Sequence, residues 1–476
     1  MNIPDLRVGR AFAAVAPWLL MGLLTTALIF VAREGLALAI LAVAAAGFVL
    51  YVAYFGLERG GRYLVVLGFF CAPWSGVVLP MASFVTFSDV LFAMGFGLLL
   101  PIMILGRTSL RLPLVWVVGV LISLVMGTLA SLLAGDILAS FNMYARYLAG
   151  VIILPLVFML WRPRIQVIGH LAMAYSLGVV ASIGYGVIKT GERPGARFIG
   201  MTEHPNVLGI TGMIGLALIP FIWSRIDAKW HWFWLGVAAV NAATVWFSGS
   251  RAALVVTVMV VLMWPVVERS FRGGLWLGLG GAVGLLVADN FMSKSGDSAI
   301  ARLLGGGSAG ASDSARADLL EHYWNEFLER PLLGSGFEEA VLGHNVWLQV
   351  AYSMGIVGAI GFVLIILAGC LVLLTVPRPL HRIAYPVIAY AGLAGLTSVI
   401  WDRFIWAPLA LAFAVAVSTA AARTVERDGP GGSDATEGPG DNCSGVDPSG
   451  RDRRGTDDVP LAPNLLSPGP AAHFTR

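Results

Sequence analysis

"GHNVWLQVAYSMGIVG", residues 343–358, sets a histidine and an asparagine directly before an apolar run that continues to about residue 374. A helix needs roughly 20 apolar residues to cross the hydrocarbon core of a bilayer, and this run is long enough. The reading of this stretch decides the class of the molecule. It is a membrane helix with a titratable group at its lip.

Applied outward from there, the same criterion yields about fourteen candidate spans. They lie near 11–31, 36–57, 63–82, 88–105, 113–134, 144–161, 166–188, 206–223, 231–247, 251–267, 273–289, 345–374, 383–400 and 404–422. The expected fold is all-α, a polytopic membrane protein of about 12–14 transmembrane helices. Composition agrees: 58% of residues are hydrophobic and 12% charged, and mean hydropathy is +0.81, whereas soluble domains carry about 25% charged residues. A net charge of +3 is too small to imply a nucleic-acid partner. Cys71, Cys370 and Cys443 have neither metal-ligand nor disulfide spacing. The first apolar run lacks a cleavage site of the A-x-A kind and reads as an anchor.

Loop charges set the sidedness. Arg7/Arg10, Arg59/Arg62, Arg107/Arg111, Arg162/Arg164, Arg225/Lys229, Arg269/Arg272, Arg378/Arg382 and Arg423/Arg427 recur in alternating loops. The positive-inside rule makes those loops, and both termini, cytoplasmic. The opposite face holds Arg33, Arg146, Arg197, Arg251, Arg316 and Arg403, mostly isolated. The rule disfavours cations there, so each needs its own reason. Residues 424–476 are rich in Gly, Pro, Asp and Ser and read as a disordered cytoplasmic tail.

Two external loops are long. In "KTGERPGARFIGMTEHPNVLG", residues 189–209, Pro194 and Gly195 force a turn. Pro205 suits a first helical turn, which puts His204 and Asn206 at a helix N-terminus, a place that favours anions. A solvated loop with a plain helix cap is the alternative. The loop 290–344 begins glycine-rich and then holds "DSARADLLEHYWNEFLER". Asp313 or Ser314 can cap this helix and Pro331 ends it. Leu319, Leu320, Tyr323, Trp324, Phe327 and Leu328 form one apolar stripe, so the helix is expected flat on the outer membrane surface. Arg316 shares the buried side, aimed at lipid phosphates or at a site below; snorkelling is the alternative.

"WFSGSRAALVV", residues 246–256, places Arg251 at the positive end of a membrane helix, with Ser248 or Ser250 as cap. A cation fits poorly there unless it binds an anion or anchors the interface. His344 and Asn345 cap a helix in the same plane as Arg197, His204, Arg251 and Arg316. Arginine forks match phosphate oxygens, and histidine can take a proton from a hydroxyl. Together they describe a transferase with a lipid-pyrophosphate donor.

At these residues the chain resembles the O-antigen ligase and O-antigen polymerase superfamily of bacterial membrane glycosyltransferases. "GMTEHPNVLG" looks like its "PN" loop, and "FSGSRAALVV" like its Ser-Arg-Ala helix start. "SARADLLEHYWNEFLERPLLGSGF" looks like its periplasmic Arg-helix with "P-L-L-G-x-G", and "GHNVWLQVAYSMGIVGAIGF" like its "H-N" helix. The match covers roughly residues 190–375. The resemblance implies a helical fold of the GT-C type and a metal-independent, inverting transfer of an oligosaccharide. Its donor would be an undecaprenyl-pyrophosphate carrier and its acceptor a glycan or lipid hydroxyl, at the outer face of the bacterial plasma membrane. It also implies a role in surface or exopolysaccharide biosynthesis, no cofactor, and contact with membrane lipids and with a polysaccharide export system. Carried over by motif, Arg197, Arg251 and Arg316 clamp the pyrophosphate, His344 is the general base, and His204, Asn206 and Asn345 shape the donor site. Arg146 and Arg403 are further external candidates, and Asp402 is a neighbour able to pair with Arg403.

The domain plan is then 1–188, N-terminal helices; 189–375, ligase-like core including the 290–344 loop; 376–423, C-terminal helices; and 424–476, the tail. A multi-pass transporter is the main rival, although charges at one edge and the lack of a repeat fit it poorly. A cell-wall polymerase of the shape-elongation-division type would need an external carboxylate; Asp136, Glu192 and Glu203 are external, but their surroundings do not match.

Overall fold

The computed structural model describes residues 36–79, 82–105, 111–190, 197–275, 309–338 and 344–427, with Gly22, Gly280, Ala299 and Arg302 besides. Most of the expected spans at 11–31 and 273–289, the Pro194–Gly195 turn, most of the 290–308 loop and the tail from 428 lie outside them.

The described residues are overwhelmingly helical. Among the described residues, seven helices are long and apolar enough to cross a membrane, so the protein is a multi-pass helical membrane protein. The first helix is α1 (Leu36–Cys71). A short antiparallel ribbon follows, β1 (Val78–Leu79) and β2 (Ala82–Thr86). Next come α2 (Phe87–Leu105), α3 (Leu114–Leu132) and α4 (Ile137–Tyr147). A π-helical segment, Leu148–Ile153, joins α4 to α5 (Leu154–Trp161). Then follow α6 (Ile165–Tyr185), α7 (Pro205–Trp223), α8 (His231–Phe247) and α9 (Arg251–Val267). Later in the chain come α10 (Ala309–Glu329), α11 (Val346–Cys370), α12 (Tyr385–Leu393) and α13 (Arg403–Arg427).

Four expectations need correction. The spans 36–57 and 63–82 are one helix with a break at Gly56, and it stops at Cys71, where Pro73 cannot continue it. The ribbon follows instead of more helix. The span 383–400 is helical only to Leu393 after a 3-10 turn. Residues 394–402 run as irregular backbone. The amphipathic helix starts at Ala309, ahead of the expected caps at Asp313 and Ser314. The last helix runs through Arg427, so the tail does not begin at 424.

The core centres on α13, where every residue from Phe404 to Val415 is buried. A helix apolar all round belongs inside a bundle. Pro408 removes the amide that would bond Phe404 O; Tyr175 Oη on α6 supplies the missing donor at 2.7 Å. Outward-facing leucines and valines of α3, such as Leu114, Leu121, Val125 and Leu132, are exposed, as a lipid-facing stripe requires.

A second break sets the geometry of the site. Gly355 has φ 69° and ψ 178°, so α11 is two segments. The strap Pro331–Phe337 fills the break. Ile356 N–H donates to Pro331 O at 2.8 Å, Ser335 N–H to Tyr352 O at 2.8 Å and Gly336 N–H to Ser353 O at 3.1 Å. Irregular backbone survives at membrane depth only when its polar groups are bonded in this way. On its other side the strap meets α4: Phe337 N–H donates to Ser140 Oγ at 2.8 Å, and the Phe337 ring lies 5.2 Å from that of Tyr144. The "P-L-L-G-x-G" stretch thus ties α10 to α11.

A Cβ at Gly355 would collide with the Leu332 carbonyl, and its φ disfavours any other residue. Gly355→Ala is expected to lower the unfolding temperature in detergent markedly, since a left-handed non-glycine residue alone costs on the order of 1–3 kcal/mol. Gly97→Ala on α2, with open space around it, should leave it unchanged or slightly raised.

Candidate functional site

The irregular segment 394–402 and the N-terminal ends of α7, α9 and α11 surround one cavity of about 390 Å³. Each side chain reaches it for a local reason.

Asn345 is the N-cap of α11; its Oδ1 accepts from Leu348 N–H at 3.1 Å. His344, just before it, has φ 47°. Non-glycine residues in this region are uncommon and gather at functional sites. The first amide of α11, Val346 N–H, donates to Ala394 O at 2.7 Å, which joins the helix to the irregular segment. Arg316 on α10 lines the same cavity. Seven residues on, on the same face, the buried Tyr323 packs edge-on against Tyr352 of α11 at 5.0 Å. Leu320, Trp324 and Leu328 remain exposed.

At the head of α7, His204 is the N-cap, and its Nδ1 accepts from Asn206 N–H at 3.1 Å. That bond leaves Nε2 to carry the proton of the neutral ring. At the head of α9, Ser250 is the N-cap, its Oγ accepting from Ala253 N–H at 3.4 Å. Arg251 is therefore the first helical residue, and it lines the cavity. Two other arginines grip the turn before it. Arg197 Nε donates to Ser248 O at 2.9 Å, and Arg302 Nη1 to Gly249 O at 2.9 Å. Arg197 Nη2 also donates to Asn206 Oδ1.

Arg251, Arg316, His204, Asn206 and His344 are thus brought together on one cavity, with Arg146 beside them. Arg197 and Asn345 stand one layer back: Arg197 bonds the backbone and the Asn206 side chain, and Asn345 caps its helix. Arg302 is an addition. It is 4% exposed and lines the cavity, yet it sits in a stretch with no motif to mark it. Arg403 is forked by both Asp89 carboxylate oxygens. Asp89 also accepts from Thr86 N–H at 2.8 Å at the start of α2, so one carboxylate joins the heads of α2 and α13.

No family model matches the chain, and no curated protein matches it. The chemistry of the cavity carries the functional reading alone.

That chemistry is cationic. Burial lowers the pKa of the His204 imidazole, and the charges of Arg197, His344, Arg302 and Arg316 lower it further. Burial and then Arg316 do the same to His344. Both shifts favour the neutral ring, the form that can accept a proton. The acids lie along one wall. Burial lifts the Asp402 carboxyl to about 6 against the pull of Arg403, and burial also raises Glu203.

A cation beside a histidine disfavours its protonation. In a pH titration followed by histidine NMR, His344 should therefore titrate below the ordinary histidine value. Arg316→Gln should move it upward. A wild-type midpoint at or above the ordinary value, unmoved by Arg316→Gln, would contradict this electrostatic picture.

Proposed function

We propose that the protein is a membrane glycosyltransferase that moves an oligosaccharide from a polyprenyl-pyrophosphate carrier to an acceptor hydroxyl. It would act at the outer face of a bacterial plasma membrane. One observation carries the reading: Arg251, Arg302 and Arg316, from three separate parts of the chain, line one cavity with His344. Guanidinium forks bind pyrophosphate oxygens in pairs. The site's position at helix ends suits a donor whose polyprenyl tail stays in the lipid.

In the proposed reaction the acceptor oxygen attacks the anomeric carbon while the bond from that carbon to the pyrophosphate oxygen breaks. The acceptor proton passes to His344. The pyrophosphate leaves with the bonding electrons, and the arginines offset its charge. Attack opposite the leaving group inverts the anomeric centre.

Two variants test this with purified protein, undecaprenyl-pyrophosphate oligosaccharide and a panel of glycan acceptors. His344→Ala should lower transfer by about 10²–10⁴-fold, the usual range for loss of a general base. Arg251→Lys should lose most activity although the charge stays, because the fork is lost. A folded His344→Ala protein with wild-type turnover would defeat the assignment. Laddered products would mark a polymerase, and single additions a ligase.

Transport of a lipid-linked or soluble anion is the second reading. The break in α11 and the irregular segment 394–402 beside the cavity favour it, since transporters build sites from interrupted helices. Movement of a labelled lipid-linked oligosaccharide across proteoliposomes, without transfer to any acceptor, would select it.

A further inference from the structure

A second cavity of about 250 Å³ adjoins the first. The two share Arg146, Glu203, Trp401 and Asp402. Beyond that common wall the second is lined by Ser75, Thr86, Ser88, Arg403 and Phe404 among others. Its construction is deliberate. The Thr86 and Ser88 hydroxyls are 2.8 Å apart, and Thr86 Oγ1 donates to Asp89 Oδ2 at 2.8 Å. Asp89 in turn forks Arg403, and Ser75 Oγ accepts from Glu203 N–H at 3.4 Å.

We propose that this chamber is a sugar subsite, taking one ring of a glycan through its hydroxyl groups; the proposal rests on reading the first cavity as a pyrophosphate site. Three features point to a sugar. A ring hydroxyl both donates and accepts, and this chamber offers carboxylates, guanidinium groups and hydroxyls within one small volume. Trp401 and Phe404 supply aromatic surface for the apolar faces of the ring. Drug-sized ligands fill roughly 300–1,000 Å³, so the chamber suits a smaller unit.

Charge separates the two chambers. Arg251, Arg302 and Arg316 belong to the first cavity only, whereas the shared wall sets two carboxylates, Glu203 and Asp402, against one guanidinium, Arg146. Carboxylates repel a pyrophosphate and accept hydrogen bonds from hydroxyls. A pyrophosphate therefore settles away from the wall, and the sugar settles at it. The bond to be broken then lies between the arginine cluster and the carboxylates. The ring is either the donor's first sugar or the acceptor's last.

The test measures binding by the full-length protein in nanodiscs, as wild type, Asp402→Asn and Glu203→Gln. The probes are undecaprenyl pyrophosphate, undecaprenyl-pyrophosphoryl-N-acetylglucosamine, its galactose counterpart, and the methyl glycosides of both sugars added after saturation with undecaprenyl pyrophosphate. Loss of a hydrogen bond to a charged group is worth about tenfold in affinity. Both variants should weaken a sugar-bearing probe by about that factor, and bind bare undecaprenyl pyrophosphate as well as or better than wild type. Weakening on the sugar-bearing lipids assigns the chamber to the donor; weakening on the glycosides assigns it to the acceptor. If bare lipid binds and both variants match wild type on every sugar-bearing probe, or weaken bare lipid equally, the subsite is refuted and the pyrophosphate site stands. If wild type binds no lipid probe, the pyrophosphate reading fails and the subsite falls with it.

Discussion

The break in α11 at Gly355, closed by the Pro331–Phe337 strap, is the constraint on which the rest depends. An unfilled break would leave amides and carbonyls unpaired in an apolar surrounding, at a cost of several kcal/mol for each group. The strap bonds them, and it leads directly out of α10, which carries Arg316. The helix that follows His344 is therefore locked to the helix bearing the arginine that acts on it. Residues 316 and 344 are far apart in the chain but share one rigid junction.

Two further arginines brace the turn before α9 through its backbone. Arg197 and Arg302 bond successive carbonyls, Ser248 O and Gly249 O, in the turn that presents Arg251. Such bonds satisfy a guanidinium's geometry without cancelling its charge. Like charges gathered this way repel one another, and an anion would relieve that repulsion. Arg403 pairs with Asp89 and lines the second chamber rather than the first.

Much of this was legible in the sequence. Uninterrupted apolar runs place 88–105, 113–134, 206–223 and 251–267 within about two residues of α2, α3, α7 and α9. Residue type and position narrow the caps to His204, to Ser248 or Ser250, and to His344 and Asn345, and the structure selects Ser250 and Asn345 for the last two. What escaped was long-range or irregular. Nothing local pairs Asp89 with Arg403 across 314 residues. Arg302 has no motif around it. The run 383–400 is apolar enough to be a helix, but its second half leaves the helix to line the cavity, with Tyr390 Oη donating to Val399 O at 2.9 Å. Hydropathy reports burial, and a buried irregular segment reads the same as a buried helix. The small ribbon before α2 was hidden for the same reason, since its residues are apolar and follow directly on a helical run.

The central claim is that arginines from separate segments hold a pyrophosphate beside His344. A cryo-EM map of the protein with undecaprenyl pyrophosphate tests it most directly. Phosphate density is expected within hydrogen-bonding reach of Arg251, Arg302 and Arg316, with the lipid tail leaving between helices into the bilayer. Lipid density elsewhere, with this cavity empty at saturating ligand, would contradict it.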